Sequence, residues 1–170
     1  MTIGSPLQGE VNPIDPIGFT ATVANLGTAG PVAAPVSGAI VAWRLLGAEG
    51  GPFRLRVLRP LGGPSFTAVG SSSAATAWGP GLEAFPTALP VQAGDLIGLD
   101  VVPGQQVGTM VGSVSTVAAW NPPVGEGESR AYTESGAAGY CACAGCSSST
   151  STGTSSATAT RATITARCSG

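Results

Sequence analysis

Histidine and lysine are both missing from this chain of 170 residues, and the two absences remove most of the usual catalytic apparatus. Without imidazole there is no Ser-His or Cys-His pair, no histidine ligand for zinc or iron, and no side chain whose ordinary pKa lies near neutrality. Without lysine there is no Schiff-base nucleophile and no ammonium to grip the phosphates of a P-loop. General acid and base work would fall to Asp, Glu or Tyr, so the chain is read as a non-enzyme with no cofactor. Charge is scarce as well. Only 9% of residues are charged, against about 25% in an average domain. Seven arginines and nine carboxylates leave a net charge of -2. Such a chain is not held open by self-repulsion, and it has no general attraction to nucleic acid or to an anionic membrane.

Long apolar helices are lacking too. No window of helical length escapes Gly or Pro, of which there are 26 and 14, while placing apolar residues at i, i+3, i+4 and i+7. Residues 101 to 124 carry no charge, which is span length for a bilayer. They include Pro103, Gln105, Gln106 and several glycines, and Val107–Val111 alternates as a strand does, so no membrane span is expected. The start, Met1-Thr2-Ile3-Gly4-Ser5-Pro6, has no basic segment followed by an apolar one, and so reads as having no signal peptide.

What is present is a period of two. In Phe53–Arg59, residues Phe53, Leu55 and Val57 share one face and Arg54 and Arg56 the other. Ala39–Leu46 reads likewise, with Val41, Trp43 and Leu45 together and Arg44 opposite. Gly47–Pro52 between them has hairpin-turn length, so the two segments are expected to pair. Further strands are expected at Gly18–Ala24, Ser65–Val69, Leu82–Phe85, Leu96–Val102, Val107–Val111 and Val114–Ala119, each bounded by Gly, Pro, Asn or Ser. Short strands at this spacing, without crossover helices, indicate an all-β antiparallel sandwich, jelly-roll-like or alternatively Ig-like.

Near residue 139 the composition changes. Residues 140 to 170 contain no Asp, Glu, Leu, Val, Phe, Trp or Pro, and hold all four cysteines. Such a stretch cannot bury a core. The sandwich is therefore assigned to residues 1–130, with 131–170 as a linker and a disordered Ser/Thr/Ala/Cys-rich tail. Cys141, Cys143, Cys146 and Cys168 suffice in number for zinc but lack paired C-x-x-C spacing; disulfides, with three connectivities open, are the other reading. Thr158-Ala159-Thr160 is what a GC-rich Asp-Gly-Asp run becomes when read one base late. The tail is thus either a Ser/Thr-rich stalk or a frame-slipped acidic repeat.

Three segments together, Ser37–Leu45, Phe53–Pro60 and Leu89–Asp100, resemble uncharacterised secreted β-sandwich proteins of GC-rich bacteria. The resemblance covers residues 20 to 130. It implies an exported, jelly-roll-like module at the cell surface or outside the cell, with no catalytic residues to carry over. Members of that group usually begin with a signal peptide and often continue into acidic Asp-Gly repeats, and this chain shows neither.

Candidate ligand contacts follow from residue type. A flat indole can cover the apolar face of a pyranose. Trp43 shares a face with core residues, whereas Trp78 and Trp120 sit in turn-rich segments where binding residues concentrate; both are stacking candidates, the alternative being packing at the end of a sandwich. Arg44, Arg54 and Arg56, with Arg59, can grip carboxylate or sulfate bidentately, or else form a solvated face that discourages edge pairing. Asp95 and Asp100 flank a strand and have the oxygen donors of a calcium site, although Gly94-Asp95 also suits a turn. Glu83 and Asp100 are the one strand-borne carboxylate pair a glycosidase would need. The resulting expectation is a non-enzymatic surface, adhesion or binding module for a glycan or cell-surface polymer. The alternative is a self-assembling structural subunit.

Overall fold

The structure, a computed structural model, describes residues 1–4, 7, 18–25, 32–105, 107–108, 116–137 and 144–149. Among these there are ten strands and no helix: β1 Thr2–Gly4, β2 Phe19–Asn25, β3 Gly38–Gly62, β4 Ser65–Ser71, β5 Ala75–Val91, β6 Leu96–Val101, β7 Thr116–Trp120, β8 Ser129–Ala131, β9 Glu134–Ala137 and β10 Ala144–Ser149. Every pairing is antiparallel. The expected strands at 18–24, 65–69, 82–85 and 96–102 coincide with β2, β4, part of β5 and β6, and that at 114–119 overlaps β7, its residues 114 and 115 lying outside the described set. Val107 and Gly108 are not in a strand, and residues 109–111 lie outside the described set.

The central element is not the one the turn signals suggest. Ala39–Leu46 and Phe53–Arg59 do not form a hairpin with each other. They are the two halves of the single 25-residue strand β3. Gly47, at φ 70°, bulges the strand instead of reversing it, and the ladder to β5 slips between Leu46 and Ala48 and again between Gly50 and Phe53. The reversal comes at Gly62-Gly63-Pro64-Ser65, where Gly62 and Gly63 have φ of 101° and 56°, a conformation that costs glycine least. After it the chain returns along β3, first as β4 and then as β5. The Gly-Gly pair was the better hairpin signal.

A second slip changes which side chains are buried. Val41 has no partner in either ladder of β3: β5 pairs Ile40 and Ala42 with Leu89 and Pro86, and β10 passes from Ala42 to Ile40. This bulge inverts the alternation. Ile40, Trp43 and Leu45 are buried, whereas Val41, expected beside them, is 42% exposed. In the other half of β3 the alternation holds from Phe53 to Val57, with Phe53, Leu55 and Val57 all fully buried, and breaks at the next ladder slip, where Leu58 is buried too.

Because β3 pairs with β10 and β5 in its first half and with β6 and β4 in its second, one continuous sheet changes partners midway and curls. The larger core lies where the curl brings the halves together, with Ile40, Trp43 and Leu45 packing in the same cluster as Leu55, Leu99 and Val101. The two ends of the order β4-β3-β6-β2-β7 are then bridged by residues 129–137. At one end β8 pairs with β4, at the other β9 pairs with β7, and the link is fastened by Tyr132 N–H to Pro64 O (3.1 Å) and Thr133 N–H to Ala119 O (2.8 Å). A second cluster, of Leu58, Phe66, Ala68, Leu96, Ala118, Trp120 and Val124, fills this part. That is why β6 is buried at all six positions.

The boundary placed at residue 130 does not mark where pairing stops, since β9 and β10 both lie beyond it. Backbone hydrogen bonding to an existing edge needs little apolar surface of its own, so a Ser- and Ala-rich segment can be recruited without contributing a core. Cys146 lies in β10, opposite Trp43 and Ile3; Cys141, Cys143, Cys168 and residues 150–170 lie outside the described set.

Candidate functional site

The arginines do not form one solvated face: Arg44 lies in the first half of β3, and of the three in the second half Arg56 and Arg59 are held by carboxylates. Arg56 Nε donates to Asp100 Oδ2 at 2.7 Å, with both side chains about nine-tenths buried, and reaches toward Glu126 at 3.9 Å. Thr20 completes the group: its hydroxyl donates to Asp100 Oδ1 at 2.6 Å and accepts from Val124 N–H at 3.1 Å. Glu126 is also held by the Ser71 hydroxyl. Arg59 grips Asp95 with two parallel hydrogen bonds of 2.9 Å, the bidentate geometry that suits a guanidinium, while Gln92 N–H donates to the same carboxylate at 2.8 Å. Arg54 is exposed and donates weakly to Ser72 O at 3.4 Å. Burial pushes the Asp100 carboxyl above the ordinary aspartate value, and the Thr20 hydroxyl and the Arg56 charge only partly offset it.

These contacts reassign both aspartates. Asp95 and Asp100 each face an arginine, so their oxygens are committed to hydrogen bonds that lock β6 to β3. No cluster of three metal-ligating side chains occurs among the described residues. Glu83 and Asp100 are not a facing pair: Glu83 sits opposite Leu45 on β5 and Asp100 opposite Arg54 on β6, each engaged with other partners.

The three tryptophans separate cleanly. Trp43 is 1% exposed and stacks obliquely on Phe85 at 4.7 Å. Trp120, expected as a stacking platform, is a core residue at 0% exposure. Its ring meets Phe66 edge-on at 5.4 Å and Tyr132 at 6.3 Å, and its Nε1–H donates to Arg130 O at 3.3 Å. The neighbouring Asn-Pro-Pro does start a loop, but that loop crosses back over the sheet and buries the indole.

Trp78 is the reverse case, 85% exposed. It lies on β5 opposite Glu49, at a point where Leu82 pairs with Leu46 and Gly79 with Ala48, leaving Pro80 and Gly81 looped out. Glu83 stiffens this bulge: one carboxylate oxygen accepts from Trp78 N–H at 2.7 Å and Gly79 N–H at 3.2 Å. The indole therefore projects from a backbone fixed at its base. Leu82, 57% exposed, continues the apolar surface, and Arg44 lies farther along the same ribbon, opposite Ala84 and five residues from Glu49 on β3. Of the sequence candidates, the structure brings Trp78 and Arg44 to one ribbon and leaves Arg54, Arg56 and Trp120 elsewhere. Leu82, Glu83 and Glu49 were missed as members of the site; the Trp-Gly-Pro-Gly-Leu-Glu run was the available signal, since a carboxylate a few residues beyond a Gly-Pro-Gly turn can cap its free N–H groups.

Comparison with protein-family models, with characterised proteins and with solved structures finds no match to this chain. No helix among the described residues is long and apolar enough to cross a membrane.

Proposed function

We propose that the protein is a non-enzymatic binding or adhesion module of the extracellular space or cell surface, that its curled sheet is a jelly-roll-like sandwich, and that Trp78 is its principal contact. The observation that carries this reading is an indole 85% exposed on a backbone braced by Glu83. A solvated Trp of this kind is an unusual expense for a fold that buries its other two, and a rigid aromatic on a stiff base binds with little ordering cost. The non-enzymatic part rests on the missing His and Lys and on the engagement of Asp95 and Asp100 with arginines. The sandwich reading is supported by the core that the two halves of β3 share, and the surface location by the resemblance at residues 37–45, 53–60 and 89–100.

A stacked sugar or a cell-surface polymer is the ligand class that an exposed indole on a stiff backbone suits. Retention of the protein on insoluble cellulose, chitin and peptidoglycan, compared between the natural chain and Trp78→Ala, tests it. Retention lost with Trp78 supports the reading; retention unaffected by the substitution, or none on any polymer and no other Trp78-dependent contact, overturns it.

A further inference from the structure

The outer face of the β3–β5 ribbon carries few charges and is self-complementary about one point. On β5 the outward positions include Trp78, Leu82, Ala84, Pro86 and Pro90, all exposed and none ionisable. On β3 the same face bears Arg44 and Glu49, and neither has an ion-pair partner among the described residues. They flank the Leu46–Leu82 pair, with Arg44 two residues to one side and Glu49 three residues to the other, the extra residue being the Gly47 bulge. The opposite charges therefore lie at nearly equal distances from a common centre.

We infer that this face is occupied by a second copy of the chain, related by a two-fold axis that runs across the ribbon through Leu46 and Leu82. The inference rests on the reading that the Trp78 surface is the contact surface, and names its partner. With such an axis each residue on one side of the centre meets its counterpart from the other side. Arg44 of one copy then faces Glu49 of the other, twice over. Trp78, opposite Glu49, comes to lie above the small Ala84 opposite Arg44, so the largest side chain of the face meets one of the smallest and its ring lies beside a guanidinium. Leu46 and Leu82 close the centre against their own copies.

Face-on association is also the mode the strand chemistry leaves open. Among the described residues β5 pairs only with β3, so no described strand takes up its other edge. Pro80, Pro86 and Pro90 remove three donors from the strand, and prolines of this kind blunt an edge as a template for pairing. They do not roughen its face. A ribbon about 55 Å long and two strands wide presents on the order of 600 Å² per copy, somewhat below the roughly 800 Å² per partner of a standard interface. An interface at this small end of the range is sought as a weak association.

Sedimentation velocity of the full chain from 1 to about 100 μM tests it, with far-UV circular dichroism to confirm that each variant is folded. The expected result is a monomer–dimer equilibrium weakened at least tenfold by Trp78→Ala, by Arg44→Glu and by Glu49→Arg separately, and restored by the exchange Arg44→Glu with Glu49→Arg, since the two-fold then pairs the same charges in reverse. Leu82→Thr serves where Trp78→Ala loses structure. A monomer at every concentration overturns the inference, as does a dimer indifferent to these substitutions or a charge exchange that fails to restore it. Polymer retention run in parallel separates the two readings. A monomer retained through Trp78 removes the second copy and leaves the binding function standing, whereas a monomer retained by nothing removes both.

Discussion

Arg56 and Asp100 form a nearly buried ion pair, 2.7 Å between Nε and Oδ2, that ties the second half of β3 to β6. A buried charge pair need not add much net stability, but breaking it leaves one charge stranded. It adjoins residues of both apolar clusters, Leu55 and Leu99 of one and Val124 of the other.

Arg56→Met is expected to cost about 3 to 5 kcal/mol at neutral pH, because Asp100 then keeps its charge in an enclosed site. The loss shrinks on acidification. Asp100 already titrates above the ordinary aspartate value when folded, so between the two values the folded chain holds more protons than the unfolded one, and this group's contribution falls as pH rises through that window. Without Arg56 the window widens upward. Urea unfolding of the natural chain and the variant at pH 7 and pH 4 checks this; an equal loss at both would show that Asp100 does not depend on Arg56 for charge compensation.

Trp43→Ala and Trp120→Ala are each expected to cost about 3 to 5 kcal/mol, while Trp78→Ala stays within about 0.5 kcal/mol. Thermal or urea melts give the comparison directly. Melts run below the concentration of self-association keep a second copy out of the comparison; equal destabilisation by all three would then mean that Trp78 is covered by its own chain.

The bulge at Val41 makes neighbouring substitutions diverge. Ile40→Ala should cost about 2 to 5 kcal/mol and Val41→Thr less than about 0.5 kcal/mol. The opposite ranking would place Val41 in the core and restore uninterrupted alternation.

Brief trypsin treatment should spare Arg130. It lies in β8, paired with Phe66 of β4, and its guanidinium bonds to Pro122 O. Mass spectrometry of the early fragments decides the matter: early cleavage after Arg130 would mean that the closing segment 129–137 opens readily.

Much of the secondary structure was legible in the residues, because alternation is a local property. Phe53, Leu55 and Val57 announce a buried face, and Leu96–Val101 a strand, whatever they pack against. The absence of His and Lys is likewise complete in the sequence, and with it the narrowing of catalytic chemistry. Pairing partners were not legible. Gly47–Pro52 has the composition of a turn, and only the β5 strand lying alongside it makes bulging cheaper than reversal. The prolines of β5 look like strand breakers until the strand proves to be an edge, where a missing donor costs nothing. Trp78 and Trp120 look alike in sequence, each beside a proline-containing turn. Long-range geometry separates them: the chain after Trp120 folds back over the sheet and seals that indole, whereas the chain around Trp78 loops out of a strand that no other described strand flanks on that side. Periodicity and composition are local and survive without a fold, but burial and pairing depend on what arrives from elsewhere in the chain, and that is decided only when the sheet curls over its core.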